Sequence, residues 1–393
     1  GDVQTATAAL ALLGTGEKVY MQSVEKAAHS YIGRDLKTGG LPMWNFIYAG
    51  TFLCEYYLAT ADPKVLPAIT NIVNTMANDA TSDGGRHAHG VTREPGYDGK
   101  GINIISSHVY LTWTLAEKCG IEVPEKAYQA TLAWLTRCTE ASGGTGYIGA
   151  YGNGDGSGRT GLFTLGLSIS NDNPALLKIQ GDYLERHTRR MRECHANGLF
   201  GMTWGSAALA CVNPKGFKVH MDYWKWYMNM GRTPAGSDKV RWYIGSKANN
   251  GGDGYLGYDL YNHATLGMMF AIGRKKLFVH GNRRFNWFNE KGKQTLMEFY
   301  QKVYKDKGKL LKYLFRKVDE ISIPEELADT LKFLNKQMKG KHKTIAKKLY
   351  QIIADRVKRD VHSLELLARL QPGRAHQRLN RLKKITKKDP KLS

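Results

Sequence analysis

Two kinds of apolar pattern alternate along the first 280 residues. One kind is apolar nearly all round: "MWNFIYAGTFLCEYYLATA", "INIISSHVYLTWTLAEKCG", "RTGLFTLGLSIS", "MTWGSAALACV" and "LYNHATLGMMFAIG". The other kind follows each of the first four and keeps a polar face: "VLPAITNIVNTMANDA", "EKAYQATLAWLTRC", "LLKIQGDYLERHTRRM" and "KVHMDYWKWYMNM". A helix that is apolar all round belongs inside a protein, and an amphipathic one covers it from outside. Each pair therefore predicts an αα-hairpin with a buried first helix. Ala49, Gly50, Ser106, Ser107, Ala207 and Ala208 on the buried members allow close packing. "TATAALALL" with "EKVYMQSVEKAAHSYI" adds a hairpin at the start. This gives about six, the sixth completed from Arg274 onward.

The loops repeat with the helices. The double glycines Gly39-Gly40, Gly84-Gly85, Gly143-Gly144 and Gly251-Gly252 recur, and Asn197-Gly198 fills the gap. Successive second glycines (Gly40, Gly85, Gly144, Gly198, Gly252) are 45, 59, 54 and 54 residues apart. A fixed period of this length signals a repeat architecture built from one supersecondary unit. The expected fold is all-α, with inner and outer rings of helices forming an α/α toroid over residues 1–280. An open solenoid of the same hairpins is the alternative. In a toroid the glycine-rich loops all open at one end of the ring.

Charge divides the chain at the same place. Residues 281–393 hold 30 lysines and arginines against 12 acids, or +18 of the net charge of +22. Their helix-like stretches, such as "KQTLMEFYQKVYKDKGKLLKYLFRKV" and "KTIAKKLYQIIADRVKRDVHSLELLARL", predict a basic helical extension. Such a surface attracts phosphates, yet no nucleic-acid motif accompanies it, so nucleic acid is not the expected partner. No apolar run approaches the ~18 residues of a membrane span. The start, "GDVQTATAALALLGTG", lacks a basic n-region and does not read as an intact signal peptide. The five cysteines include no CxxC and are expected as buried free thiols.

The glycine loops "GGTGYIGAYGNGDGSGRTGLFTLGLSI" and "NGGDGYLGYDLYNHATLGMMFAIG" give the chain a resemblance to the α/α-toroid superfamily. That superfamily includes six-hairpin glycosidases, toroidal polysaccharide lyases and terpenoid-cyclase-like toroids. More narrowly, "GNGDGSGRTG", "ECHANGLFGMTWGSAALA" and "DGYLGYDLYNHATLG" resemble an uncharacterised bacterial toroid family with only a domain-of-unknown-function label. The resemblance covers roughly residues 1–280. It implies a carbohydrate-active protein and, if it holds, export from the cell. The Asp-x-Asp-Asp pattern of cyclases and the zinc ligands of protein prenyltransferases are absent, which weakens those branches.

On a toroid the loops would gather chemistry at one mouth. The candidate catalytic residues are His87, His89, Tyr97, Asp98, Tyr151, Arg159, Asp253 and Asp259. The candidate substrate contacts are His108, Tyr147, Trp204, Tyr255, Tyr258 and His263. A glycoside hydrolase needs a paired acid and carboxylate, available from Glu94, Asp98, Asp253 and Asp259. A lyase needs a Tyr or His base and a cation such as Arg159 to stabilise the developing charge. His87-x-His89 is a weak metal pattern that would need Asp83, Asp98 or His108 as further ligands, so no cofactor is expected. For any one of these residues the plain alternative is a turn glycine, an N-cap or a packed ring. The expected function is a polysaccharide lyase or glycoside hydrolase acting on an anionic polysaccharide. The rivals are a non-catalytic binding or scaffold module within a larger protein, and a terpenoid-type toroid with an apolar cavity.

Overall fold

The computed structural model describes residues 2–38, 42–60, 62–87, 101–148, 156–192, 198–230 and 258–282. All of them lie in the first of two units, Gly1–Phe285, into which the chain divides. Among the described residues there are eleven α-helices and no strand, so the protein is all-α. In chain order they are α1 (Asp2–Thr15), α2 (Met21–His29), α3 (Pro42–Thr60), α4 (Leu66–Asn78), α5 (Asn103–Cys119) and α6 (Glu125–Arg137). They continue as α7 (Ser157–Ser170), α8 (Pro174–Arg186), α9 (Gly198–Val212), α10 (Pro214–Met230) and α11 (Tyr258–Ala271). Every helix that the apolar patterns predict in these residues is present.

The odd-numbered helices are the ones apolar all round, and each packs on two others. The order of neighbours is α1, α3, α5, α7, α9, α11 and back to α1, a closed cycle of six. The amphipathic helices α2, α4, α6, α8 and α10 each lie against the odd-numbered helix that precedes them. This arrangement is compatible with an α/α toroid of five hairpins and the first helix of a sixth. The segment expected to complete the sixth, beyond residue 282, and the basic extension lie outside the described residues.

Small residues set how closely the inner helices approach. A methyl group on Gly161 of α7 would lie 2.6 Å from the carbonyl carbon and oxygen of Trp204 on α9. Backbone cannot retreat from that contact as a flexible side chain could. Gly161→Ala is expected to destabilise the protein by about 1–3 kcal/mol in urea denaturation, the usual cost of overpacking. Helix ends follow local chemistry as well. Asn173 accepts from Leu176 N (3.0 Å) ahead of Pro174 at the start of α8. Gly120 (φ 90°) and Asn171 (φ 62°) end α5 and α7 in the left-handed conformation.

The cycle is fastened where α11 runs on toward residue 282. Glu55, buried in α3, accepts the backbone N–H groups of Phe278 (2.9 Å) and Val279 (2.8 Å). A charged acceptor shared by two buried amides is a strong tie across 223 residues of chain. Glu55→Gln keeps one acceptor oxygen and loses the charge. A loss of about 2 kcal/mol in the same denaturation assay is expected. Cys54, Cys119, Cys138 and Cys211 are free thiols, the first three buried, in keeping with the expectation; burial raises the Cys54 pKa.

Candidate functional site

Two of the glycine loops are described closely enough to superpose by sequence register. In the first, an isolated bridge joins Ala80 and Arg86; in the second, 59 residues on, it joins Thr139 and Thr145. Gly84 N donates to Thr81 O (3.1 Å) and Gly143 N to Glu140 O (2.9 Å). Both glycines have positive φ (96° and 98°), which a tight turn of this kind requires. The next outer helix clasps each loop the same way. Arg137 Nη2 donates to Asp83 O (2.9 Å), and Arg186 Nη2 donates to Ser142 O (2.7 Å). Polar side chains of the following inner helix, Ser106 and Thr160, receive Arg86 N and Thr145 N.

Against this shared frame one pair stands out. His87 Nδ1 lies 2.8 Å from Asp79 Oδ1, and the His87 backbone N–H donates to Asp79 Oδ2 (3.3 Å). Asp79 sits just past α4 and is buried, while His87 keeps 13% of its side chain exposed. Burial pushes the Asp79 carboxyl pKa up, and the hydrogen bonds and charge of His87 pull against that rise. With the carboxylate accepting at both oxygens, Nδ1 carries the proton and Nε2 presents its lone pair. Nε2 has no partner among the described residues. In the sister loop the equivalent positions, 59 residues on, are Cys138 and Gly146. Acid and imidazole are thus replaced together while the turn around them stays the same.

The neighbouring groups are linked to this pair through backbone. Ile102 N donates to Arg86 O (2.9 Å), and Gly85 and Gly101 approach so closely that a methyl on Gly85 would lie 2.5 Å from the other Cα. At the start of α5, Asn103 binds the second loop through its backbone N–H to Tyr147 O (3.0 Å) and its Nδ2 to Gly146 O (2.7 Å). The Arg159 guanidinium lies 5.3 Å from the Tyr147 ring centroid, and its Nε donates to Thr145 O (3.2 Å). His87 is thus linked to Tyr147 and Arg159 through Arg86, Ile102 and Asn103, and Arg159 is buried. Arg86 is buried too. It donates to Ala127 O and Thr131 Oγ1 and stacks on Trp113 at 4.8 Å, which is a packing role.

His108 and Trp204 lie elsewhere, in the interior of the cycle, with ring centroids 5.1 Å apart. Tyr48 meets both, at 4.8 Å and 6.2 Å, and its hydroxyl is 2.7 Å from that of Tyr261. All four are buried. A hydrogen-bond chain fixes the His108 tautomer. Thr112 Oγ1 donates to His108 O (2.9 Å), so it accepts from Thr51 Oγ1 (2.9 Å). Thr51 must then accept from His108 Nε2–H (3.1 Å). Burial holds His108 neutral, its pKa lowered to about 3. These rings fill the interior at their level.

His263 on α11 is half-buried. Tyr258 and Asp259 form the first turn of α11, their side chains outside the described residues. His89, Tyr97, Asp98, Tyr151, Asp253 and Tyr255 lie outside the described residues, as does Glu94. Of the His87–His89 pair only His87 is among the described residues, and its Nδ1 is engaged by Asp79. Among the described residues Glu25, His29 and Asp62 place one ligand atom each within 4.8 Å of one another. Asp62 Oδ2 already takes His29 Nε2 (2.7 Å) and Tyr56 OH (3.1 Å), and Glu25 is exposed.

The repeat of hairpins, the glycine turns and the sequence as a whole lead to one assignment. A family described as domain of unknown function DUF6288 matches residues 1–281. The chain belongs to the DUF6288 family. The match spans the whole helical cycle and ends where the basic segment begins, so the helical cycle lies within the DUF6288 domain. No curated protein and no solved structure matches the chain.

The DUF6288 residues that sequence pattern alone overlooked are Asp79, Tyr48, Tyr261 and the Thr51–Thr112 pair. A signal for Asp79 existed. At the 59-residue offset it is replaced by Cys138, in step with His87 and Gly146.

Proposed function

We propose that this DUF6288 domain acts on an anionic polysaccharide at the glycine-loop rim, with His87 as the proton-transfer group. The observation that carries this reading is the His87–Asp79 pair. A buried carboxylate holds Nδ1–H, and Nε2 is left with a lone pair on a partly exposed ring. That arrangement suits abstraction of a proton α to a carboxylate, the first step of β-elimination from a uronate polymer. The proton moves to Nε2, the carbanion electrons form the new double bond as the C–O bond breaks, and the leaving glycosidic oxygen takes up a proton from solvent water. Asp79 stabilises the imidazolium so formed.

Hydrolysis needs two carboxylates free to act. Among the described loop residues, Asp83 is occupied by Thr81 Oγ1, Gly85 N and Gly101 N, and Asp79 by His87. The acids named for hydrolysis, Glu94, Asp98, Asp253 and Asp259, have side chains outside the described residues, and the elimination reading rests on the His87–Asp79 pair. The wider membership in an α/α-toroid superfamily is part of the same proposal, supported by the closed cycle of inner helices. A second reading, a non-catalytic binding module, draws support from the interior, where Tyr48, His108, Trp204 and Tyr261 are in ring contact. The same packing weighs against a terpenoid-type cavity at that level.

The deciding assay screens the full chain against uronate-containing and sulfated polysaccharides, reading unsaturated product by ultraviolet absorbance beside new reducing ends. Absorbance with reducing ends supports elimination. Reducing ends alone would make the protein a hydrolase. Binding without either product would make it a binding module.

A further inference from the structure

The outer helix α10 carries an exposed aromatic and cationic face that packing of the ring does not use. Its inner side is committed. Trp224 and Tyr227 are buried, Trp224 Nε1 donates to Thr188 O (2.8 Å), and His220 Nε2 is 2.7 Å from Ser206 Oγ. The sequence pattern alone reads all four aromatics, Tyr223, Trp224, Trp226 and Tyr227, as one packing stripe, and the structure splits them. Tyr223 is 38% and Trp226 50% exposed, with Val219, 66% exposed, one turn earlier. Positions 219, 223 and 226 fall on one helical stripe.

Both exposed rings are braced. Tyr223 stands edge-on to Trp224 (5.2 Å, 89°) and Trp226 edge-on to Tyr227 (5.8 Å, 77°). The Arg189 guanidinium lies 5.6 Å from the Tyr223 centroid. Lys215, Lys218 and Lys225 are exposed on α10, with Asp222 as the acid among them.

We propose that this face of α10 is a second polysaccharide-binding surface, on which sugar rings of an anionic glycan stack against Tyr223 and Trp226. Arg189, Lys218 and Lys225 take its carboxylate or sulfate groups. The choice of glycan rests on the polysaccharide reading above. The surface itself rests on the exposed, braced rings, on Arg189 against Tyr223, and on the exposed lysines of the same helix. Braced rings lose little conformational freedom on binding, and interleaved charge suits a polymer that offers an apolar sugar face and an anion on each unit.

The test uses the full chain with Tyr223→Ala and Trp226→Ala combined. These changes remove no charge, so the polyanion affinity of the basic segment stays constant and only the loss of the rings is read. Affinity is measured for polygalacturonate, for dextran, for a deoxythymidine oligonucleotide and for anionic phospholipid vesicles. Circular dichroism confirms that the variant is folded. The expected result is a loss of about tenfold or more for polygalacturonate, worth about one ring contact, with oligonucleotide and vesicle binding unchanged. Lys218→Gln with Lys225→Gln should weaken polygalacturonate and leave any dextran binding as it was. Equal affinity of wild type and the ring variant for polygalacturonate would overturn the proposal. A loss confined to, or larger for, the oligonucleotide or the vesicles would also overturn it. The ring variant is read by affinity alone, whereas the catalytic reading is read by unsaturated product from the wild type, so failure of this surface and failure of the catalytic reading give different results.

Discussion

Acidification from pH 7.5 to pH 5 is expected to remove about 6 kcal/mol of stability, enough to bring a domain of ordinary stability near unfolding. Three buried histidines carry this effect. His108 and His280 have pKa values lowered to about 3 and His220 to about 4, in each case because burial disfavours the charged ring. The unfolded chain titrates these side chains near pH ~6.5. Between that value and about 4 the unfolded state binds protons that the folded state refuses, so stability falls as pH falls. At pH 5 each histidine contributes a loss of about 2 kcal/mol.

Other groups modify the curve without reversing it. Asp79, whose pKa is raised by burial, gives a gain on acidification in the range just above the usual carboxylate value. Asp62 is lowered, through hydrogen bonds from His29, Lys64 N and Tyr56 that outweigh its desolvation. The stability it supplies is lost only at more acid pH. Urea denaturation at half-unit pH intervals checks the prediction. The midpoint should fall steeply below pH ~6.5 while the m-value stays constant. A flat midpoint down to pH 5 would mean that the three rings accept protons in the folded state.

The second large effect is catalytic. His87→Ala is expected to lower turnover of a uronate polymer by about 10²- to 10⁴-fold, the usual range for a proton-transfer group. Asp79→Asn should cost about 10- to 10³-fold, because an amide can donate to Nδ1 and so place the proton on Nε2, the wrong tautomer for a base. The two changes together should cost little more than His87→Ala alone, since Asp79 acts through the imidazole. Steady-state kinetics should show the loss in kcat with little change in KM. His108→Phe tests the opposite assignment. Its ring lies in the packed interior, and its substitution should move the denaturation midpoint more than kcat.

The helical plan was legible because the repeat states it several times. The all-round apolar pattern of α3, α5, α7, α9 and α11 told which helices lie inside, and the polar faces of α4, α6, α8 and α10 told which lie out. Ring closure was harder, since no single residue signals that α11 meets α1. The direction of individual inner side chains was also hidden. A helix with apolar residues on every face gives no sign that Tyr48 and Tyr261 turn toward one another. The sequence places His108 at the loop mouth, whereas its bond to Thr51 on α3, with Thr112 one turn further along α5 itself, accounts for its place in the interior.

The rim was half legible. His87 drew attention because glycine architecture explains its loop but not its imidazole. Its partner Asp79 did not, because an acid at the end of an outer helix looks like an ordinary helix terminus. The bridge register pairs His87 with Gly146 of the sister loop, so the second loop does not repeat the imidazole. The comparison of two loops 59 residues apart makes the acid and the imidazole a unit.

The most direct test of that unit is chemical rescue. His87→Gly is prepared and its formation of unsaturated product from a uronate polymer is followed with increasing free imidazole. If His87 supplies the base, activity should return in proportion to the concentration of neutral imidazole and track the basicity of substituted imidazoles. Wild-type activity should stay unchanged by the additive. An active wild type whose His87→Gly variant turns over at the same rate, with or without imidazole, would contradict the account.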